Sequence, residues 1–168
     1  MRRSTENSSG FSLVEMMIVL GVVGVLVAIA VAAFGNAMNR TRQKRSMADM
    51  RAVAIAWESR ASDHGKYNAA GFTYPSDVYD PGDMVGHLTP TYIRNLPRAD
   101  GWANAFDFAA DESIGAVSEV KTYAIRSRGR DGIAEGPVYA STLTTRFDCD
   151  IIFSNGNFVV YPQGVTLD

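Results

Sequence analysis

The sequence predicts an α+β fold in which one long N-terminal helix packs on a small antiparallel sheet. Two observations predict it. The 19 residues from Met16 to Phe34 carry no charge, and a helical apolar period then continues to about residue 61. Near the C-terminus, apolar and polar residues alternate on both sides of an Asn-Gly pair, which is typical of a β-hairpin.

Composition limits the function. The 168 residues are enough for one domain, and the net charge of −2 gives no basic excess that would favour a nucleic-acid partner. Cys149 is the single cysteine, which excludes an internal disulfide. The 46% apolar content is unevenly spread: residues 16–34 are almost all apolar, and the remainder is typical of a soluble domain.

The apolar run has the length of a membrane span. Nineteen helical residues cover about 28 Å, close to the ~30 Å hydrocarbon core of a bilayer. Glu15 is a single carboxylate at the entrance of this run, where an ionised group is costly to bury. We therefore expect a partner for Glu15, supplied by another copy of the chain. Gly24, Ala28 and Ala32 recur every four residues, a spacing that lets helices approach closely.

Residues 1–10 are too polar to form a core and indicate a leader. Arg2 and Arg3 precede the apolar run, which predicts that this end stays in the cytoplasm while the bulk of the chain is translocated. Three interpretations fit: a secretory signal peptide cut within residues 28–32, an uncleaved signal anchor, or a leader cut between Gly10 and Phe11.

The helix is expected to run from Phe11 to about His64, with Gly65 as its cap. The alternative is two helices broken at Gly35-Asn36. Beyond the membrane run, residues at spacings of three and four form one apolar stripe: Met47, Met50, Val53, Ala54, Trp57 and Ala61.

A short helix is predicted from Pro81 to about Leu88, with Asp80 as its cap. The segment Ser154-Asn155-Gly156-Asn157 separates the last two predicted strands, and its Asn-Gly pair is a strong signal for a β-hairpin. The predicted strands are Ala105–Ala109, Lys121–Arg126, Phe147–Phe153 and Phe158–Tyr161.

Catalytic motifs are missing from the sequence. It has no phosphate-binding loop, no nucleophile elbow and no His-Glu-x-x-His motif. His64 and His87 are isolated, and Cys149 falls on the apolar face of the strand predicted at 147–153, which favours a buried, inert thiol. The sequence therefore favours a protein that is not an enzyme.

A calcium site is predicted from three carboxylates. Asp131 lies in the turn Ser127–Gly132. Asp148 and Asp150 are expected on one face of an extended segment, with their Cα atoms about 7 Å apart. Carboxylates in irregular loops suit calcium. The alternative is a solvated acidic edge, with three arginines as counterions: Arg128, Arg130 and Arg146.

Gly10-Phe11-Ser12-Leu13-Val14-Glu15 resembles the processing motif of the type IV prepilin family. The resemblance implies a pilin-like fold, cleavage after Gly10 by a prepilin peptidase and N-methylation of Phe11. It also implies an assembly role for Glu15, whose carboxylate would meet the Phe11 amine of a neighbouring subunit.

Within that family, the C-terminal part is most similar to the major pseudopilin of type II secretion systems. The similar stretches are Tyr92–Pro97, Asp100–Phe106 and Tyr123–Gly132. The sequence departs from the family pattern in carrying Ala32 where proline is common, and in placing its acidic pair further downstream. The resemblance implies a calcium loop whose matching residues are Asp131, Asp148, Asp150 and an oxygen near Ser127.

The resemblance implies a structural subunit of a type II secretion pseudopilus that supports protein export. It divides the chain into a leader (1–10), a transmembrane and filament-core helix (11–38) and a periplasmic domain (39–168). The implied location is a single pass through the bacterial inner membrane. The implied partners are further copies, other pseudopilins, the inner-membrane assembly platform and the peptidase. A type IV pilin serving adhesion, motility or DNA uptake, and a membrane-anchored binding module, are the alternatives.

Overall fold

A computed structural model describes residues 10–63, 77–79, 81–110, 123–135 and 142–164. The chain forms two compact units, Met1–Ala37 and Met38–Asp168.

One helix assignment, α1, runs over Leu13–Asp63. It continues through Gly35 and Asn36, so the expectation of one long helix is confirmed and the two-helix alternative is wrong. The predicted C-terminal cap at residues 64–65 lies outside the described residues.

The first unit presents its apolar side chains outward. Along α1 from Leu13 to Val31, every side chain that the structure describes is exposed. The helix is long and apolar enough to cross a membrane, judged by length and composition, and no part of that window is buried. A helix that is apolar on all sides requires lipid or other helices around it.

The second unit contains a six-stranded sheet with the spatial order β1-β2-β3-β5-β6-β4. Neighbouring strands are antiparallel, except that β4 pairs with β6 in parallel. In chain order the elements after α1 are β1 (Asp77–Tyr79), α2 (Pro81–Leu88), β2 (Asp107–Ala110), β3 (Tyr123–Ser127), β4 (Thr142–Thr144), β5 (Ile151–Ser154) and β6 (Asn157–Pro162).

Most predicted elements are present. The α2 helix has the predicted bounds, and the hairpin of β5 and β6 turns at Asn155 and Gly156, both with positive φ (45° and 90°). Asn155 tolerates this conformation, and its Oδ1 accepts a hydrogen bond from the backbone N–H of Tyr123 at 3.1 Å. The predicted Asp80 cap lies outside the described residues.

The strand predicted at Phe147–Phe153 is wrong in its first half. Residues 146–149 form a turn and a bend, and the strand begins only at Ile151. The edge strands β1 and β4 were not predicted because each has only three residues, too few to establish an alternating pattern.

The predicted stripe on α1 forms the core of the second unit. Trp57 is buried, and its ring lies 4.9 Å from that of Tyr123 on β3 and 6.3 Å from that of Phe108 on β2. The hydroxyl of Tyr123 donates a hydrogen bond to the carboxylate of Glu58, which follows Trp57 on α1. Other buried members of this cluster are Met50, Val53, Ala54, Met84, Leu88, Phe106, Ile125, Ile151 and Phe153.

Trp57→Ala should destabilise the second unit by about 3–5 kcal/mol, because it removes a large buried side chain from the contact between α1 and the sheet. Ile55→Ala is the matched control, since Ile55 lies two residues earlier on α1 and is 65% exposed. Thermal unfolding of the full chain in detergent measures both. Equal losses for the two variants would contradict this account of the core.

Candidate functional site

The processing motif lies at the exposed start of α1. Gly10 and Phe11 are both exposed, and Phe11 retains 75% of its accessible surface. The helix begins two residues later, at Leu13. The bond between Gly10 and Phe11 therefore lies outside the helix.

Glu15 has a local partner that the sequence interpretation missed. Its Oε2 accepts a hydrogen bond from the backbone N–H of Ser12 at 2.9 Å. Ser12 precedes the first helical residue and Glu15 is the third residue of the helix, so the pair forms half of a capping box. The signal was the spacing Ser-x-x-Glu, which is read directly from the sequence.

The turn at residues 100–104 ties α1 to the sheet. Asp100 Oδ1 accepts hydrogen bonds from the backbone N–H groups of Trp102 and Asn104, both at 2.9 Å. The N–H of Gly101 donates to Ser46 Oγ on α1 at 2.9 Å. A Cβ at Gly101 would lie 2.3 Å from the carbonyl oxygen of Arg42, so this close approach to α1 requires glycine.

Ser127, one of the four predicted calcium ligands, is part of this network. Its hydroxyl donates to Asp100 Oδ2 at 2.7 Å and is buried. Two residues on, the carbonyl of Gly129 accepts a hydrogen bond from the side-chain amide of Asn104 at 2.7 Å. The turn that follows β3 is therefore fixed to the 100–104 turn.

The turn after β3 also packs on the turn before β5. The N–H of Arg130 donates to the carbonyl of Phe147 at 2.9 Å. Gly129 has a φ of +65°, and a Cβ there would lie 2.5 Å from the carbonyl oxygen of Asp148. The structure thus brings the segments of Asp131 and Asp148 side by side.

The predicted carboxylates nevertheless have different surroundings. Asp148 pairs with Arg130 (Nε to Oδ1, 2.7 Å) and with Arg146 (Nη2 to Oδ2, 3.1 Å). Asp131 is exposed, and its Oδ1 accepts the N–H of Ile133 at 2.9 Å. Asp150 is fully buried.

The expectation that Asp148 and Asp150 share one face of a strand is wrong, because this part of the chain turns. Asp150 Oδ2 instead accepts the N–H of Glu135 at 3.1 Å, and the N–H of Asp150 donates to Glu135 Oε2 at 3.3 Å. No three metal-ligating acids, histidines or cysteines cluster within the described ranges. Since guanidinium donors use both oxygens of Asp148 and the Glu135 amide uses Oδ2 of Asp150, the fit to calcium is incomplete, and the ion stays a prediction.

Asp107 is the central carboxylate of a buried ion network that the sequence interpretation missed. Arg126 Nη2 lies 2.7 Å from its Oδ2, and Arg128 Nη2 lies 2.6 Å from its Oδ1. Burial alone would raise the pKa of Asp107, but the hydrogen bonds from Arg128 and Arg126 outweigh it and hold the pKa below its usual value. Arg126 also lies 4.0 Å from Asp150 Oδ2.

Cys149 is half-buried in the turn before β5, so its predicted place on a buried strand face is wrong. Burial, followed by the nearby Glu135 carboxylate, raises the pKa of the thiol. A raised pKa lowers the thiolate fraction, which agrees with the expected low reactivity.

Residues 6–31 match the prokaryotic N-terminal methylation motif. The chain is similar to the type II secretion system core protein G of Pseudomonas aeruginosa, with 25% identity over 134 residues, 74% of this chain and 87% of the relative. The same protein of Escherichia coli is 26% identical over 133 residues, 77% of this chain and 87% of the relative. The chain is a prepilin-like protein.

This prepilin-like chain is also similar to pilins, over shorter stretches. The type IV major pilin protein PilA of Myxococcus xanthus is 32% identical over 66 residues, 39% of this chain and 30% of the relative. A fimbrial protein of Pseudomonas aeruginosa is 34% identical over 73 residues, 44% of this chain and 47% of the relative. No solved structure matches the chain.

Asp107→Asn should destabilise the prepilin-like chain by about 3 kcal/mol, because it leaves Arg126 and Arg128 without their carboxylate. Asp148→Asn is the control, expected to cost at most about 1 kcal/mol because Arg130 and Arg146 are solvent-exposed.

The Asp107 pair should also appear in the pH dependence of stability. Because the folded-state pKa is lowered, its stabilisation is complete above the unfolded-state pKa of about 3.9 and is lost as the pH falls through the folded-state value. The melting temperature of Asp107→Asn should therefore fall less than that of wild type as the pH is lowered from about 5 to 3. Parallel curves would exclude Asp107 as a source of acid sensitivity.

Proposed function

We propose that the chain is a structural subunit of a type II secretion pseudopilus. The main support is that similarity to core protein G extends over about three quarters of this chain and most of each relative. The exposed apolar helix of the first unit supplies a surface that needs lipid or neighbouring helices. The proposed role is structural and needs no catalytic residue.

In this proposal, a prepilin peptidase cuts after Gly10 and Phe11 is N-methylated. The mature chain is held in the inner membrane by residues 11–38, with residues 39–168 in the periplasm. On assembly the apolar helices leave lipid and bundle in the filament core, in contact with further copies and other pseudopilins. The inner-membrane platform drives this transfer.

Glu15 carries the proposed contact between subunits. Cleavage creates a positive amine at Phe11, and a carboxylate from one subunit beside an amine from the next offsets the cost of burying either charge. A lone buried polar group also fixes register, since a shifted packing would leave it unpaired. The bond from Ser12 gives the same carboxylate a second, intrachain role.

Two substitutions separate these roles. Glu15→Gln retains an acceptor for the Ser12 N–H and removes the charge, whereas Glu15→Ala removes both. We expect both variants to insert and to be cleaved, and both to yield few filaments, because each lacks the charge. Filaments sheared from cells and quantified by immunoblot measure the yield.

Wild-type yield from Glu15→Gln, with loss only in Glu15→Ala, would show that Glu15 acts as a helix cap. That result would contradict the contact between subunits. Mass spectrometry of the mature N-terminus is the accompanying control, because a chain beginning at methylated Phe11 establishes that processing is intact in every variant.

Calcium binding is a separate proposal at the turns that hold Asp131, Asp148 and Asp150. If calcium binds there, excess calcium should raise the melting temperature, with about 2.7 kcal/mol of stabilisation at a concentration of 100 Kd. Asp131→Asn is the informative variant, because it leaves the Arg pairs of Asp148 intact and retains Oδ1 for the Ile133 N–H. A calcium response unchanged in that variant, or no response in wild type, contradicts the proposed site.

A type IV pilin is the second candidate. Its support is the higher identity, 32–34%, to pilin and fimbrial relatives over 39–44% of the chain. Deletion of the gene distinguishes the two. Loss of protein export with surface motility retained favours the pseudopilus, and the reverse favours the pilus.

A further inference from the structure

The segment of α1 in the second unit begins with a dense basic cluster that the fold does not use. Arg40, Arg42, Lys44 and Arg45 fall within six residues, and all four are exposed. Arg45 lies 3.6 Å from Asp49, an exposed pair worth little. Across the residues that the structure describes, Arg40, Arg42 and Lys44 have no ion pair.

The packed side of the same segment is occupied by other residues. Gln43 and Ser46 are buried, and Asn39 Oδ1 accepts the indole N–H of Trp102 at 3.3 Å. This segment of the helix therefore contacts its own domain through neutral polar groups. The basic cluster (residues 40, 42, 44 and 45) lies away from that contact, in solvent.

The basic cluster is also a local reversal of charge. Residues 46–168 contain 10 Lys and Arg against 16 Asp and Glu, a net charge of −6, whereas the cluster carries +4. Four cations of one sign within six residues repel one another, so an anionic partner would relieve their repulsion.

Position along the chain identifies that partner. Residues 16–39 are 24 consecutive uncharged residues, about 36 Å of helix against a ~30 Å hydrocarbon core. The basic cluster therefore begins within about one turn of the point where a spanning helix leaves the core. Its six residues extend for about 9 Å, through the layer of lipid headgroups.

We infer that Arg40, Arg42, Lys44 and Arg45 bind the phosphates of anionic phospholipid headgroups where α1 leaves the bilayer. Arginine and lysine are the side chains that pair with phosphate oxygens. The inference depends on the membrane insertion proposed above.

Native mass spectrometry of the full mature chain, released from non-ionic detergent after addition of phosphatidylglycerol or phosphatidylcholine, tests the inference. Wild type should retain phosphatidylglycerol in preference to phosphatidylcholine. Each cation removed should weaken that retention by about fivefold, so Arg40→Gln with Lys44→Gln should weaken it by about 25-fold. The matched control is Arg94→Gln with Arg98→Gln, which removes two exposed cations elsewhere and should leave retention unchanged.

Three outcomes overturn the inference. Equal retention of the two lipids by wild type shows that the basic cluster does not select anionic headgroups. Equal loss in the Arg40/Lys44 and Arg94/Arg98 variants shows that net charge, and not this cluster, is responsible. Unchanged lipid retention in the Arg40/Lys44 variant, together with loss of crosslinking between copies, assigns the cluster to an acidic surface of a second copy.

Failure of the proposed function is distinguishable from these results. A wild-type chain recovered from the soluble fraction without detergent has not inserted, which contradicts the proposed membrane subunit. A chain that inserts and assembles but shows no lipid preference contradicts only the role of the basic cluster.

Discussion

The second unit depends on the hydrogen bonds around one buried carboxylate, that of Asp100. It closes the 100–104 turn through two backbone N–H groups and accepts the hydroxyl of Ser127 at the end of β3. From that turn, Gly101 reaches α1 and Asn104 reaches the loop after β3. A short polar turn thereby fixes the long helix and the central strand against each other, while Trp57 and its neighbours supply the apolar area.

Periodic features could be predicted from the sequence. The α1 stripe, α2 and the hairpin at Asn155-Gly156 each repeat a local pattern over enough residues to identify the element. The turn at 146–149 could not be predicted, because its apolar residues alternate as they would in a strand. The turn is held by a contact with a distant segment, since the carbonyl of Phe147 accepts the N–H of Arg130, and no local pattern contains that contact.

The candidate site shows the same difference between features set by local sequence and features set by contacts between distant residues. Gly10, Phe11 and Glu15 follow from a contiguous motif, and the comparison with methylation motifs covers them. The ion pairs of Asp107 on β2 reach Arg126 on β3 and Arg128 just after it, 19 and 21 positions away, so they depend on strand register and are not visible in spacing. The arginines foreseen as counterions in the acidic-edge alternative do pair with carboxylates, although Arg128 pairs with Asp107 and not with the predicted set.

The chain has one cysteine, and its position gives it a practical value. Cys149 lies in the turn that carries the Asp148 ion pairs, and its side chain is only partly buried. A thiol-specific spin label or fluorophore therefore attaches at one defined site, and no other cysteine has to be removed first. Because the raised pKa slows the reaction near neutral pH, mildly alkaline labelling conditions suit it. Such a label reports directly on rearrangement of this turn in the intact chain.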